Sequence, residues 1–365
     1  MHIGIAGAGL IGRLIAWQLL RRGHQVSLFD RDPVNGESSA ARVAAAMLAP
    51  FSEVVNCEQE IFQWGMESMG QWPQLLEQLQ SDGADKIAFQ QHGSIVVAHP
   101  QDQVYLDHFN QLIRNRASSH LDDVSFLQYG ALHHLEPGLS EQFQQGTFLH
   151  AEGCIDNWGL LDQLANVIKK LGGNCYWQTP VTAVNPYQIQ TSETLHTVNH
   201  VVDCRGFGAK KDMQKLRGVR GEVLWVYAPE VLIQRPIRLM HPRYQLYIAP
   251  KPNHHYVIGA TEVESESLAP ITIRSSLELQ SALYSIHSSF GEATIIKAYA
   301  NCRPAFIDNL PRVEYCDGLT RVNGLYRHGY LLSPVVLNGA LEAIEGQFSH
   351  AMHHPIQTTL ISAQA

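Results

Sequence analysis

The stretch His2-Ile3-Gly4-Ile5-Ala6-Gly7-Ala8-Gly9-Leu10-Ile11-Gly12 decides the fold. His2 to Ala6 alternate and are rich in β formers, which predicts a strand. Gly7 allows a tight turn, Gly9 lets backbone approach a pyrophosphate, and Gly12 lets the following helix pack closely on the strand. Leu10, Leu14, Trp17 and Leu20 then recur at helical spacing as far as Arg22, and Gly23 stops the helix. A second strand, Gln25 to Phe29, ends at Asp30. The helix N-terminus offers free N–H groups and partial positive charge to phosphates. Asp30 is placed to accept hydrogen bonds from a ribose, and disfavours a 2′-phosphate. The stretch therefore predicts a βαβ unit that binds a dinucleotide, with NAD and FAD both open at this point.

Two features bear on that choice. Only one such cradle exists, which disfavours a two-nucleotide flavin reductase. Ala40 to Pro50 is a run of small apolar residues (Ala40, Ala41, Ala44, Ala45, Ala46, Ala49) that suits a flat isoalloxazine ring packed on backbone, although it also reads as ordinary helix.

Beyond the cradle, Glu53 to Leu79 is predicted mainly helical, with Phe62, Met66, Met69, Trp72, Leu75 and Leu79 near one face, and Pro73 starting a second helix or kinking the first. Residues 86–148 read as short strands and helices with frequent breaks. Asn157 is a candidate cap for a helix ending at Gly172-Gly173. Strands follow at Cys175 to Gln178, Val181 to Val184 and Val198 to Asp203. From Gly218 the pattern alternates, with strands at Glu222 to Tyr227, Gln245 to Ala249, Tyr256 to Gly259 and Ala293 to Ala300, so a mostly antiparallel sheet is expected. A last helix is expected from Pro334 to Phe348. This sheet reads as inserted into the nucleotide domain, because the C-terminal segment again looks like cofactor-binding loop plus helix.

Composition narrows the class. The 365 residues are 45% hydrophobic and 16% charged, with a net charge of −8, which argues against nucleic acid or an anionic membrane as partner. No apolar run approaches a membrane span. The chain goes directly into a strand, with no room for a leader peptide, so the cytoplasm is expected. Six scattered cysteines without a Cys-x-x-Cys read as isolated thiols in a reducing compartment. The adjacent histidine pairs (His133-His134, His254-His255, His353-His354) point to opposite faces of a strand, and no metal site is expected.

Five islands of sequence carry a resemblance over nearly the full length. They are the cradle through Asp30; Ser38-Ser39 through Met47-Leu48-Ala49-Pro50; Arg217 through Val223; Tyr247-Ile248-Ala249-Pro250 with Tyr256 through Glu262; and Arg303-Pro304 through Pro311 with the closing loop from Arg327. Together they resemble the D-amino-acid oxidase group of FAD oxidoreductases, and within it the glycine oxidases associated with making the thiazole of thiamine. The resemblance implies an α/β fold in which a Rossmann-like FAD-binding domain (1–85, 149–212 and 312–365) carries an inserted, mostly antiparallel α+β substrate domain (86–148 and 213–311).

It also implies roles. Arg303 matches the arginine that pairs with the substrate carboxylate, for which a guanidinium fork is the right group. Tyr247 matches the tyrosine whose hydroxyl meets the same carboxylate, and Arg327 a second arginine near the pocket mouth. The implied cofactor contacts are Gly7, Gly9, Leu10, Ile11 and Gly12; Asp30 and Arg31; Ser38 and Ser39; Ala46, Met47 and Leu48; Val181 for the adenine; Gly206; Arg303; and the loop His328, Gly329, Tyr330, Leu331 and Leu332. Non-covalent FAD is expected, because the covalent attachment of sarcosine-oxidising relatives uses the position of Asn301, beside Cys302. The chain departs from the group at Ala46 (usually glycine), Phe306 (threonine), Asn309 (glycine) and Leu325 (commonly histidine), and residues 203–208 lack the usual tryptophan.

The implied reaction is oxidation of a small amino acid by O2 to an oxo acid, ammonia and hydrogen peroxide. Glycine, sarcosine, D-alanine and D-proline stay open as substrates. A dehydrogenase with a non-oxygen acceptor and a non-catalytic flavin-binding module are the alternatives. Relatives often form homo-oligomers.

Overall fold

The computed structural model describes residues 1–242, 245–346 and 357–360. Strand His2–Ala6 sits inside a seven-stranded sheet, parallel to Gln25–Phe29 on one side and His200–Asp203 on the other. Outward on one side lies Asn174–Tyr176, and on the other Leu319–Asn323, Arg312–Cys316 and Gln357–Leu360. All neighbours are parallel except Arg312–Cys316 with Leu319–Asn323. Ile3 to Ala6 are wholly buried, because both faces of the sheet are covered. Helices Leu10–Arg21, Asn157–Lys170 and Gly329–Glu345 share the main core with it. On the opposite face Ala6, Phe29 and Val201 meet Val184 and Ile189 of a small antiparallel sheet.

The second large sheet has eight strands, in the order Thr294–Ala305, Arg217–Tyr227, His255–Gly259, Gln245–Lys251, Ile237–Met240, Ser94–Ala98, Gln145–Leu149, Val124–Gln128. It is antiparallel throughout except where Ile237–Met240 meets Ser94–Ala98. Alternation along its strands gives two faces. Leu224, Val226, Ile248 and Ile258 bury one against helix Ile273–Ile286. Val223, Trp225, Ala249 and Val257 turn the other toward Val43 and Ala45. The register Val223↔Gly259↔Tyr247↔Arg238 sets one row across that second face.

Three expectations are corrected. Helix Gln59–Ser81 runs unbroken through Pro73, and Glu53 belongs to a separate short helix, Pro50–Val54. Asp156, not Asn157, caps helix Asn157–Lys170, accepting from the Trp158 N–H at 3.2 Å. The last helix starts at Gly329, not Pro334, so the expected loop 329–332 is its first turn. Pro334 has no N–H for the Tyr330 carbonyl, and the Trp72 indole supplies the missing donor at 3.0 Å. That helix ends at Glu345, with Gly346 left-handed as its cap, short of the expected end at Phe348, a residue outside the described ones. Among the described residues, no helix is long and apolar enough to cross a membrane.

Candidate active site

A cavity of about 1020 Å³ lies between the two sheets, with the cradle at one end and the row of Tyr247 at the other. That is the upper end of the range for small-molecule sites, roughly 300–1,000 Å³. The three cradle glycines separate by their surroundings. Gly7 has φ +97°, and a Cβ there would stand 2.5 Å from the Cys204 carbonyl. A Cβ on Gly12 would overlap the Gly7 carbonyl, whereas one on Gly9 would meet no protein atom within 4 Å. Gly9 thus faces open space, as backbone that must admit a ligand does. Asp30 accepts from the Ala8 and Asp32 N–H groups, and each oxygen keeps a second lone pair. Arg13, which the sequence reading missed, is 1% exposed and donates at 2.7 Å to the Ala8, Val34 and Leu161 carbonyls, bracing the cradle from behind.

Most of the expected contacts come together around this cavity. Gly7, Gly9, Leu10, Ile11, Asp30, Arg31, Ser38 and Ser39 line one part. Ala46, Met47, Gly206, Tyr247, Arg303 and the run Arg327 to Leu331 line the rest. Gly12, Leu48, Val181 and Leu332 do not line it. Gly12 is used in helix–strand contact, Leu48 and Leu332 are fully buried, and Val181 packs beside Phe29 at the head of the small antiparallel sheet. The hydroxyl of Ser38 is committed to Asp32, and that of Ser39 accepts from the Arg42 N–H. A second helix N-terminus, His328 with Gly329, opens on the cavity, and a Cβ on Gly329 would also meet nothing. Two helix N-termini, an acid at the ribose position and a small-residue wall match the parts of FAD.

The far end is electrostatically sorted. Arg327 pairs with Glu53 (2.9 Å) and Glu262 (2.9 Å), and Arg238 lies 3.7 Å from Glu53. Burial would raise the Glu53 carboxyl, but Arg327, His328 and Arg238 outweigh it and hold it at about 2. Burial pushes His328 down to about 4 despite Glu53, so its 3.7 Å approach to that carboxylate is not an ion pair at neutral pH. Arg303 differs. Its guanidinium donates to the Thr261 carbonyl at 3.1 Å and the Arg220 carbonyl at 3.4 Å, and among the described residues it meets no carboxylate. Burial raises the Tyr247 phenol, with Arg303 the largest opposing influence, so it is a neutral hydroxyl beside an uncompensated cation. Gly221, on the neighbouring strand, makes room: a Cβ there would stand 2.5 Å from the Arg303 Cζ. Glu53, Arg238, Glu262 and Gly221 were not singled out in the sequence, because only the folding together of segments distant in the chain gives them a role.

Comparison with known proteins agrees with this geometry. Residues 2–336 match the DAO family of FAD dependent oxidoreductases. The chain is 36% identical to a "Putative thiamine biosynthesis oxidoreductase ThiO" of Rhizobium etli, over 92% of this chain and 94% of that protein. A bifunctional ThiO/ThiG protein of Trichormus variabilis is 25% identical over 91% of this chain, which spans about half (51%) of it. A glycine oxidase of Geobacillus kaustophilus is 25% identical, over 93% of this chain and 91% of that one. A crystal structure of glycine oxidase from that organism superposes with a TM-score of 0.84 at 23% identity, covering 98% of both chains.

Proposed function

This chain belongs to the DAO family of FAD-dependent oxidoreductases, and on that premise we propose that it oxidises the Cα–N bond of a small amino acid. Glycine is the first candidate, with sarcosine and D-alanine next. The products are an oxo acid, an amine (ammonia from glycine) and hydrogen peroxide, and the cellular role is supply to thiamine thiazole synthesis. The observation that carries the reading is Arg303, the cavity arginine whose partners among the described residues are all neutral carbonyls. The matched relatives support the substrate class and the pathway.

FAD, when bound, would supply the two-electron acceptor for this oxidation, with dioxygen as the final oxidant. The chain's own residues do the rest. Gly7 to Ile11 and Asp30 would hold the pyrophosphate and ribose, Ala46 and Met47 would back the ring, and Gly329 to Leu331 would meet its far edge. Arg303 would grip the substrate carboxylate as a bidentate fork, with the Tyr247 hydroxyl as a further donor. Glu53 and Glu262 neutralise Arg327, which leaves Arg303 as the dominant anion site and keeps the carboxylate in one register. The FAD-binding part would comprise 1–85, 149–212 and 312–365, and the substrate part 86–148 and 213–311. We expect a cytoplasmic homo-oligomer.

The test is anaerobic addition of glycine, sarcosine and D-alanine to the purified yellow protein. Bleaching of the flavin by one of them, with peroxide released on re-aeration, is the expected result. Arg303→Leu should retain the flavin and bleach about 100-fold more slowly, about 2.7 kcal/mol of lost transition-state binding. A flavin that none of these amines bleaches would overturn the reading, and bleaching without peroxide would move it to a dehydrogenase.

A further inference from the structure

A buried lysine stands behind the cofactor wall, unused by the reaction above. Lys251 ends strand Gln245–Lys251 and shares its face with Tyr247 and Ala249. It is 9% exposed, and its Nζ donates to the Ala45 and Ile155 carbonyls, each at 2.6 Å. Burying an ammonium is costly unless it is bonded, so a lysine kept here for packing alone would be an expensive choice.

The segment it grips is cavity wall: Ala44, Ala45, Ala46 and Met47 all line it. The carbonyls of this segment are tied back into the protein. Asn157 Nδ2 donates to those of Arg42 and Ala44 at 2.9 Å, Lys251 to that of Ala45, and the Ile155 N–H to that of Ala46 at 3.2 Å. The N–H groups of Ala45 and Ala46 have no acceptor among the described residues. Ala46 itself has φ +52°, a conformation that costs an L-residue roughly 1–2 kcal/mol. In a trans peptide the C=O and N–H point in opposite directions. Holding the Ala45 carbonyl therefore aims the Ala46 N–H away from the lysine, and an ammonium on that oxygen polarises the whole peptide and strengthens its N–H as a donor.

We propose that Lys251 is a positioning residue that acts through the Ala45–Ala46 peptide, presenting a polarised N–H to the bound flavin and favouring the reduced, more electron-rich cofactor. The proposal rests on FAD binding, and not on which amine is oxidised.

The experiment measures the midpoint potential of the FAD-loaded full chain by dye equilibration, with thermal stability and FAD affinity measured alongside. Lys251→Met should keep FAD while its two-electron reduction equilibrium falls about tenfold, a potential about 30 mV lower. Lys251→Arg, which keeps the charge, should stay within about threefold of the parent. A Lys251→Met protein that loses stability or FAD affinity at unchanged potential would overturn the proposal, because that is what a purely structural tie would do. If Lys251→Met does not load with FAD, Lys251→Gln is read on the same scale: a lowered potential supports the proposal, an unchanged one overturns it. Failure of the amine assay would leave this measurement intact, so the two readings fail separately.

Discussion

A single methyl group tests the candidate site most sharply. Gly221 pairs with Asn301 in the register that sets Arg303 against Val219, and the guanidinium lies over the Gly221 Cα. Gly221→Ala should displace the Arg303 head without touching the cofactor cradle. We expect the flavin spectrum and thermal stability to hold while kcat/KM falls 10- to 100-fold, about 1.4–2.7 kcal/mol. Unchanged kinetics would remove Arg303 from the substrate. Arg303 and Tyr247 came to notice through the family resemblance of the islands they sit in, and the structure brings both to the cavity. Gly221 sat in such an island too, yet its purpose was invisible, since that purpose exists only once Thr294–Ala305 pairs with Arg217–Tyr227.

The cradle separates folding from binding within one turn of chain. A Cβ on Gly12 collides with backbone, and one on Gly9 projects into the cavity. Gly9→Ala should therefore give an apoprotein of parental thermal stability with FAD affinity reduced at least tenfold, read by flavin fluorescence titration. Gly12→Ala should fail earlier, by loss of soluble folded protein. Equal behaviour of the two variants would mean that Gly9 does not face the cofactor. The strand–helix–strand unit was readable because its signals are local: a spacing of glycines, a helical period, an acid at the strand end. The helix Gly329–Glu345 was misplaced because Pro334 is an ordinary helix start, and the donor that lets the helix run through it lies on another helix. Asn157 was read as a cap for a similar reason. Its amide is occupied by the carbonyls of Arg42 and Ala44, which the sequence places more than a hundred residues away.

For the whole molecule, buried titratable groups set the pH range of stability. Burial holds His200 and His328 at about 4, below the ordinary 6.5, so the stability they contribute is full above 6.5 and lost as the pH falls to 4. Glu152 is fully buried, with Ser52 and Ser94 donating to it, and burial raises it from 4.5 to about 7. Its contribution is full below 4.5 and lost as the pH rises through 7. Among these three groups, the two histidines outweigh the glutamate between 4.5 and 6.5, and above 6.5 only Glu152 still titrates. Thermal stability of the holoprotein should peak near pH 6.5, and Glu152→Gln should flatten the alkaline shoulder. A shoulder that persists in that variant would assign the decline to other groups.

The Trp72 indole on the Tyr330 carbonyl carries a consequence of another kind. Trp72 and Pro334, on different helices, are tied to each other through that one carbonyl. Trp72→Phe leaves a buried carbonyl bare, at about 1–3 kcal/mol. On a Pro334→Ala background the restored N–H takes the indole's place, and the same change should cost less than half as much in denaturant titrations. Drift at either site is thus conditional on the other, so lineages that lose the tryptophan should lose the proline with it: an epistatic pair written into the helix whose N-terminus opens on the cavity.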